Sequence, residues 1–303
     1  MTHSPQPREA AGFAFGLLGV LIFSFSFPMT RLSVAEMNPT FVALGRALVA
    51  ASLSGLLLVI TRQPLPTRAQ FGRLAVVALG VVVGWPLFSA WASRFVNASH
   101  SAVVNALLPL ATATLGALVS GDRPAPKFWA AAAVASMTVM AFILISSGQL
   151  IEIGDLAMLG AVVLGSIGYV SGARMSAQIG SWQTICWANV VAAPFLVIPV
   201  MLTAPADPAA VSTTAWLAFL YLGVFSMFLG FFAWYRGLAL GGIARVSQIQ
   251  QVQTFLTITW SWLLLGETIT PFMIVAALIV VAMIFVARSA PIRRHAAPVQ
   301  KQA

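Results

Sequence analysis

Arg46 is the residue with the clearest potential for chemistry, because it places a formal charge inside a long apolar run. A charged side chain at the centre of a membrane helix costs about 2.5–3.5 kcal/mol, so it must face protein or a water-filled cavity. In a cavity, Arg46 would bind the carboxylate of a substrate. The alternative is a structural bond to backbone carbonyls at helix ends. Its position about two turns from the start of the run favours this structural role.

Polar side chains inside two other apolar runs form a second candidate set. His100 and Asn105 lie near the start of one run, and Gln248 and Gln251 lie in the first half of another. Gln248 and Gln251 are three residues apart, so they share a helix face. Amides in hydrocarbon are costly unless they are hydrogen-bonded. We predict that these four side chains line a cavity and bind substrate; hydrogen bonds between helices are the alternative.

Aromatic residues deep in the apolar runs could contact a planar or apolar substrate. Trp85, Phe88 and Tyr169 are the strongest candidates, since the run containing Trp85 and Phe88 is one of the richest in aromatic residues. For any single aromatic residue, packing or contact with lipid is the alternative. Three glycine pairs spaced four residues apart, including Gly80 with Gly84, predict close helix packing.

Prolines mark predicted interruptions of the helices. Pro28, Pro86 and Pro109 each lie inside an apolar run, where proline removes one backbone hydrogen bond and can kink a helix. Carbonyls freed in this way are tolerated in a membrane where they meet protein or cavity water. We predict that the three prolines act as hinges; ordinary membrane-helix prolines are the alternative.

Motifs of enzyme chemistry are missing. The sequence has no HExxH, GxSxG, P-loop or GxGxxG pattern, so we expect no catalytic residue, metal, cofactor or enzymatic activity. A carrier of phosphate esters would need several cationic groups in its cavity, and only Arg46 qualifies. All seven acidic residues lie in loops or at the edges of apolar runs, which disfavours a proton-driven exporter of cationic drugs. These charges predict a neutral or zwitterionic cargo.

The composition requires a membrane to position these residues. Apolar residues make up 60% of the 303 residues and charged residues 8%, against about 25% charged residues in soluble domains. A membrane-spanning helix needs about 20 mainly apolar residues. Ten such runs predict an all-α membrane protein with ten transmembrane helices, at 12–33, 39–61, 70–93, 99–119, 126–147, 154–174, 182–203, 213–235, 243–265 and 270–288.

Basic residues predict the orientation of the ten helices. With both termini in the cytoplasm, 13 of the 16 Lys and Arg fall on the cytoplasmic side, and only Arg31 and Arg94 fall on the other. This is the bias that orients membrane proteins. The segments 1–11 and 289–303 are then cytoplasmic. The basic residues are dispersed along the chain, which argues against nucleic-acid binding despite the net charge of +9.

An internal repeat divides the chain. Residues 79–91 and 222–234 match at six of thirteen positions, and three matches in chain order share an offset of 143–145 residues. The repeats are 12–147 and 154–288, each with five helices. Because five is odd, the second copy must have inverted topology. Inverted repeats are typical of secondary transporters, which bind substrate near the midplane where the halves meet.

These features resemble the EamA type of the drug/metabolite transporter superfamily. The resemblance covers about 12–288. It rests on the inverted five-helix repeats, on the motifs TFVALGRALVAA (40–51) and NALLPLATATLGALVSGD (105–122), and on LLGE (264–267). The first repeat's Pro109 corresponds to Thr254 in the second, a departure within the motif. The family implies helices around a central cavity with alternating access. The aromatic content is most similar to the branch that exports aromatic amino acids.

The predicted function is a secondary transporter of the bacterial inner membrane that exports small metabolites, with aromatic and other amino acids as the best candidates. Broad-specificity export of toxic amphipathic or drug-like compounds is the alternative. A receptor or assembly factor without transport is a remote alternative, which the inverted repeat disfavours. We expect a small-molecule substrate and the lipid bilayer as partners, and function as a monomer. Proton coupling remains open, because His100 can titrate near neutral pH.

Overall fold

The structure is a computed structural model that describes residues 7–120, 123–146, 151–241, 249–288 and 292–293. Within these ranges the chain forms ten helices, four of which are interrupted. Their bounds are α1 Pro7–Ser24 continued by Ser26–Val34, α2 Pro39–Ile60, α3 Arg68–Val77 continued by Ala78–Gly84 and Trp85–Ala92, α4 Ala98–Asn105 continued by Leu108–Ser120, α5 Pro126–Ser146, α6 Ile153–Ile179, α7 Ser181–Thr203, α8 Thr213–Tyr221 continued by Leu222–Leu229 and Gly230–Gly241, α9 Gln250–Leu265 and α10 Pro271–Arg288.

Local sequence explains where several helices begin and end. The side chains of Asn38, Thr67 and Ser212 accept hydrogen bonds from backbone N–H groups in the first turns of α2, α3 and α8. Such caps satisfy donors that a helix start leaves unpaired. Gly266 ends α9 in the left-handed region, with a φ of 65°, which glycine adopts without steric cost. Apart from a two-residue strand pair, the described residues outside the helices form turns and loops.

Eight of the ten helices are long and apolar enough to cross a membrane. The exceptions are α9 and α10. The structure describes α9 over 16 residues, and the apolar part of α10 is the shorter stretch Pro271–Met283. The protein is therefore an all-helical, multi-pass membrane protein, and the crossing of the membrane by all ten helices stays a prediction. The structure also begins α1 at Pro7, so the predicted N-terminal segment 1–11 is partly helical.

The helices pack in a pattern that relates the two halves of the chain. Helix α1 packs along α8, and α6 packs along α3; α9 contacts α1, and α4 contacts α6. Helices α2 and α7 pack together, as do α5 and α10. Exchanging each helix of the first five with its counterpart in the second five reproduces these contacts. The pattern is that of a duplicated five-helix unit.

Glycines allow the closest of these crossings. Gly80 of α3 lies directly against Gly168 of α6, and a Cβ at Gly168 would be 2.8 Å from the backbone nitrogen of Val81. In the equivalent crossing, a Cβ at Gly237 of α8 would be 2.6 Å from the backbone nitrogen of Gly16 in α1. Side chains at these positions would force the helices apart. The predicted packing role of the glycines is confirmed at these crossings.

Contacts between loops place alternate loops on the same face. Glu36, between α1 and α2, accepts hydrogen bonds of 2.7 and 2.6 Å from the backbone N–H and hydroxyl of Ser212, before α8. Glu267, between α9 and α10, accepts hydrogen bonds from the backbone N–H of Ala98 and from the N–H and hydroxyl of Ser99, at the start of α4. Both acidic residues thus connect one repeat to the other on the face that the charge pattern predicts to be outer.

Two further contacts between described loops lie on the opposite face. Gln183 at the start of α7 donates a 3.4 Å hydrogen bond to Gln63, which follows α2. Arg123 and Pro124, between α4 and α5, pair as a two-residue antiparallel strand with Ile292 and Arg293. Part of the predicted C-terminal tail therefore pairs with this loop, and the rest of the tail lies outside the described residues.

Candidate functional site

Helix interruptions surround a central cavity. Helix α1 is broken at Phe25, α4 is broken between Asn105 and Leu108, and α3 and α8 each contain a π-helical segment. π-Helical turns are rare and occur frequently at functional sites. Each of these interruptions contributes residues to the cavity wall, so the backbone irregularities and the cavity are parts of one feature.

The break in α1 is stabilised by α9 and α8. Pro28 cannot donate a backbone hydrogen bond, which frees the carbonyl of Ser24 one turn earlier. The hydroxyl of Thr257 donates to this carbonyl at 2.9 Å, and the indole nitrogen of Trp260 donates to the Ser24 hydroxyl at 2.9 Å. The hydroxyl of Tyr221 donates to the carbonyl of Ile22 at 2.9 Å. Side chains of the second repeat thus satisfy carbonyls that the interruption exposes.

The π-helical segments occupy equivalent positions of the two repeats. Ala78–Gly84 in α3 and Leu222–Leu229 in α8 begin 144 residues apart, the offset of the sequence repeat. Pro86 follows the first segment, but its counterpart at an offset of 143 is Leu229. The π-helical geometry of α8 therefore forms without a proline, and Pro86 can contribute to this geometry only in α3.

The break in α4 connects the cavity to α3. Because Pro109 has no N–H, it cannot donate to the carbonyl of Asn105. The side-chain oxygen of Asn105 accepts a 3.0 Å hydrogen bond from the indole nitrogen of Trp85. This bond fixes the Trp85 ring at the cavity wall, where it also contacts the ring of Phe27 with a centroid distance of 5.5 Å.

The cavity has two adjoining parts that share Asn105, Gln250 and Gln253. Residues lining the first part alone include Phe23, Ser26, Arg46, Trp85, Tyr169, Ser226 and Phe231. Residues lining the second part alone include Phe27, Pro109, Gln251, Thr254 and Thr257. The first part therefore carries the cation and several aromatic rings, and the second combines amide and hydroxyl side chains with apolar ones.

Arg46 is the charged residue of the cavity wall. Its side chain comes from α2, is 2% exposed, and lies over the Trp85 ring at 5.7 Å from the centroid. Among the residues that the structure describes, no carboxylate lies within ion-pair distance of Arg46, and its Nε has no hydrogen-bond partner. A buried charge without a partner is costly. The cation–π contact recovers only about 0.5–2 kcal/mol, so the guanidinium retains capacity for an anion.

Hydrogen bonds occupy several other polar groups of the wall. The side-chain amide of Gln250 donates to the hydroxyl of Tyr169 at 3.2 Å. The hydroxyls of Ser26 in α1 and Ser226 in α8 lie 2.8 Å apart. These pairs join α9 to α6 and α1 to α8 across the cavity.

The structure brings together most of the predicted substrate-binding set. Arg46, Trp85, Asn105 and Tyr169 line one part of the cavity, and Gln251 lines the other. Gln248 lies outside the described residues. Of the predicted hinges, Pro109 lines the cavity, and Pro28 and Pro86 lie beside the interruptions of α1 and α3.

Two predicted binding residues lie away from the cavity wall as described. The Phe88 side chain is 38% exposed and covers Gly160 of α6. His100 is bonded through Nε2 to the carboxylate of Asp155 at 2.7 Å, in a buried pair between α4 and α6. The Asp155 carboxylate also accepts from the backbone N–H of Glu152 at 3.0 Å, so it closes the start of α6 as well.

The predicted binding set did not include Gln250, Gln253, Ser26 and Ser226, which line the cavity. The rule that residues three apart share a helix face applies to Gln250 and Gln253 as well as to Gln248 and Gln251. The sequence alone could not decide which of these two helix faces points into the cavity. The two serines carried no usable signal, because serine is also common at contacts between membrane helices.

A multi-pass helical membrane protein with an internal, partly polar cavity at helix interruptions has the architecture of a secondary transporter. The EamA-like transporter family matches residues 10–145 and again residues 152–289. The chain therefore belongs to the EamA-like transporter family, with one family unit in each half. Family membership indicates a membrane transporter rather than an enzyme.

Two relatives support this conclusion, and one solved structure has a similar fold. The chain is 42% identical over 262 residues to uncharacterized transporter YdeK of Bacillus subtilis (strain 168). The aligned region covers 86% of this chain and 91% of YdeK. It is 23% identical over 277 residues to uncharacterized transporter YyaM of the same organism, covering 88% and 90%. A crystal structure with 17% identity has a TM-score of 0.66 and covers 92% of this chain and 98% of its own. That last likeness concerns the fold alone.

Proposed function

We propose that the protein exports small zwitterionic metabolites with an apolar or planar body, aromatic amino acids first among them, by alternating access. The observation that carries the proposal is Arg46, a buried guanidinium that faces the cavity without an anionic partner among the described residues. A substrate carboxylate would supply that partner. Trp85, Tyr169 and Phe231 form the aromatic part of the same wall, where they can contact a planar side chain.

Alternating access fits the repeat. Two five-helix units with inverted topology give two related conformations, each open to one side. The interrupted helices α1, α3, α4 and α8 are the elements that change conformation at the cavity. With the basic loops in the cytoplasm, as the charge bias predicts, both termini are cytoplasmic in a bacterial inner membrane.

Broad-specificity export of amphipathic compounds is the second candidate, favoured by the aromatic wall. The unpaired Arg46 opposes cationic members of that class, because a cation would bring a second positive charge into the same cavity. The two candidates therefore differ in what they predict for a lipophilic cation.

Counterflow into proteoliposomes tests the proposal. Vesicles loaded with unlabelled phenylalanine should take up labelled phenylalanine, tryptophan or threonine faster than protein-free vesicles, and they should discriminate against a cationic dye. Dye uptake without amino-acid uptake would favour the second candidate. If no solute exchanges above the protein-free level, both transport proposals are wrong.

A matched pair of tryptophan variants tests the location of the site. Trp85→Ala removes an aromatic wall and the partner of Asn105, so phenylalanine exchange should fall. Trp129→Ala removes a tryptophan that is 44% exposed at the start of α5, and exchange should stay close to that of the unmodified protein. Equal exchange in the two variants would exclude the cavity as the transport site.

A further inference from the structure

Gln253 has a buried, unsatisfied acceptor beside the cavity. It lies in the first turn of α9 as described, its side chain is buried at 6% exposure, and it lines both parts of the cavity. Its side-chain oxygen, Oε1, has no hydrogen-bond partner among the residues that the structure describes. Buried polar atoms normally have a partner, so this oxygen is positioned for a donor that the protein does not supply.

Several other acceptors in this part of the wall already have donors. The side-chain oxygen of Asn105 accepts from Trp85, and the Tyr169 hydroxyl accepts from Gln250. The two serine hydroxyls are bonded to each other. Among the described residues that line the part of the cavity containing Arg46, Gln253 Oε1 is the fully buried side-chain oxygen without a donor.

The charges of the wall restrict the ligand further. No acidic side chain lines either part of the cavity in the described portion of the chain, and Arg46 supplies one positive charge. A simple amine would meet that charge without a counterion. A simple carboxylate would pair with Arg46 but leave Gln253 unsatisfied. A zwitterion places an anion on Arg46 and N–H donors at a neutral oxygen.

We propose that Gln253 Oε1 accepts a hydrogen bond from the ammonium group of an α-amino acid whose carboxylate binds Arg46, so that Gln253 selects amino acids over the corresponding carboxylates and amines. This inference rests on the proposed function and adds a specificity-determining residue to it. Arg46 belongs to the first repeat and Gln253 to the second, so one substrate molecule bridges the two halves.

Three ligands of similar shape test the proposal: phenylalanine, 3-phenylpropionate, which lacks the amino group, and phenethylamine, which lacks the carboxylate. Their binding to the purified full-length protein can be measured by calorimetry. The unmodified protein should bind phenylalanine at least about tenfold more tightly than 3-phenylpropionate, which corresponds to ~1.4 kcal/mol. That is the low end for a hydrogen bond to a charged group.

Gln253→Met keeps the length of the side chain and removes the acceptor. It should weaken phenylalanine binding at least about tenfold and change 3-phenylpropionate binding less than about threefold. Gln183→Met is the matched control, because Gln183 also has a buried, unpartnered Oε1 but lines neither part of the cavity. The control should leave both affinities unchanged.

Gln253→Glu provides a second readout if the methionine variant does not fold. A carboxylate at this position attracts an ammonium group and repels another carboxylate. The variant should therefore bind phenethylamine more tightly and 3-phenylpropionate more weakly than the unmodified protein. Equal losses for phenylalanine and 3-phenylpropionate in Gln253→Met, or no loss, would overturn the assignment of Gln253 while phenylalanine binding to the unmodified protein upholds the proposed function. Absence of phenylalanine binding to the unmodified protein would overturn both.

Discussion

Replacing Arg46 with methionine should have opposite effects on stability and on transport. The guanidinium is 2% exposed and unpaired, with Trp85 as its cation–π partner. Methionine keeps most of the side-chain length and removes the buried charge. Exchanging buried charges for apolar groups of similar volume is neutral or stabilising by up to about 4 kcal/mol, against about 0.5–2 kcal/mol lost with the cation–π contact. The substrate-free variant should therefore unfold at the same temperature or a higher one.

Substrate affinity should fall sharply in the same variant. Truncating one partner of a buried, hydrogen-bonded charge pair costs about 2–5 kcal/mol, which is at least about 30-fold in affinity. Thermal unfolding in lipid nanodiscs gives the first quantity, and phenylalanine counterflow in proteoliposomes gives the second. Arg46→Lys is the control for charge without the guanidinium shape; it should keep part of the exchange.

The structural alternative for Arg46 predicts a different result. If the guanidinium held backbone carbonyls at helix ends, Arg46→Met would lower the unfolding temperature and the transport rate together, and phenylalanine would still protect the folded variant against heat. Either finding would refute the assignment of Arg46 as a carboxylate partner. Stabilisation by ligand follows from mass action, at about 2.7 kcal/mol for a ligand at 100 times its Kd, so protection is a sensitive measure of residual binding.

Three further changes test the fold around the cavity by thermal unfolding. Gly168→Val should destabilise the crossing of α3 and α6 by at least about 1–3 kcal/mol through overpacking, whereas Gly72→Val, which has open space, should not; equal midpoints would contradict the close crossing. Asp155→Ala should lower the free energy of unfolding by about 3–5 kcal/mol, because it breaks the buried pair with His100. Ser101→Ala removes an unpartnered hydroxyl and should cost little. Equal effects of the two substitutions would exclude the pair as a structural contact. Hydrogen bonds from the hydroxyl and the backbone N–H of Ser212 lower the pKa of Glu36. The contribution of Glu36 to stability is therefore complete above its unfolded-state pKa, and it is lost as the pH falls through the folded-state pKa. Glu36→Gln should therefore be less stable than the unmodified protein near pH 6 and equal to it in acid below the folded-state pKa of Glu36, and a difference that persists there would contradict the linkage.

The sequence predicted the all-helical membrane fold, the glycine crossings and the internal repeat, because these features depend on patterns that are local in the sequence. Apolar length, glycine spacing and the 143–145 residue offset are visible without tertiary information. The crossing of Gly80 with Gly168 and the duplication of the family unit agree with those patterns. The break of α1 at Phe25 was less accessible, since Pro28 indicates only a weakened turn. The bond from Thr257 to the freed carbonyl of Ser24 comes from more than 200 residues away.

The choice of cavity residues depended on helix phase. Gln248 with Gln251 and Gln250 with Gln253 satisfy the same spacing rule, and which face points inward is set by the packing of α9 against α1 and α4. The pairing of His100 with Asp155 had a similar cause. The two residues belong to different repeats and meet only because α4 packs on α6. A titratable residue beside an apolar run could not by itself reveal whether it faces a substrate or a carboxylate.

The repeat duplicates the frame of the cavity but not its chemistry. Both π-helical segments are present, yet the positions equivalent to Arg46 at offsets of 143–145 are Asn189, Val190 and Val191, and Gln253 corresponds to Leu108. The cation therefore belongs to one half and the free acceptor to the other. A solute with two unlike ends can connect the halves in one orientation, and the free energy of both contacts then favours the conformation in which the halves are closest. A solute with only one of these ends contacts one half and gives no such preference. On this reasoning 3-phenylpropionate should occupy the site and compete with phenylalanine, yet fail to accelerate exchange when it is placed on the opposite side of the membrane.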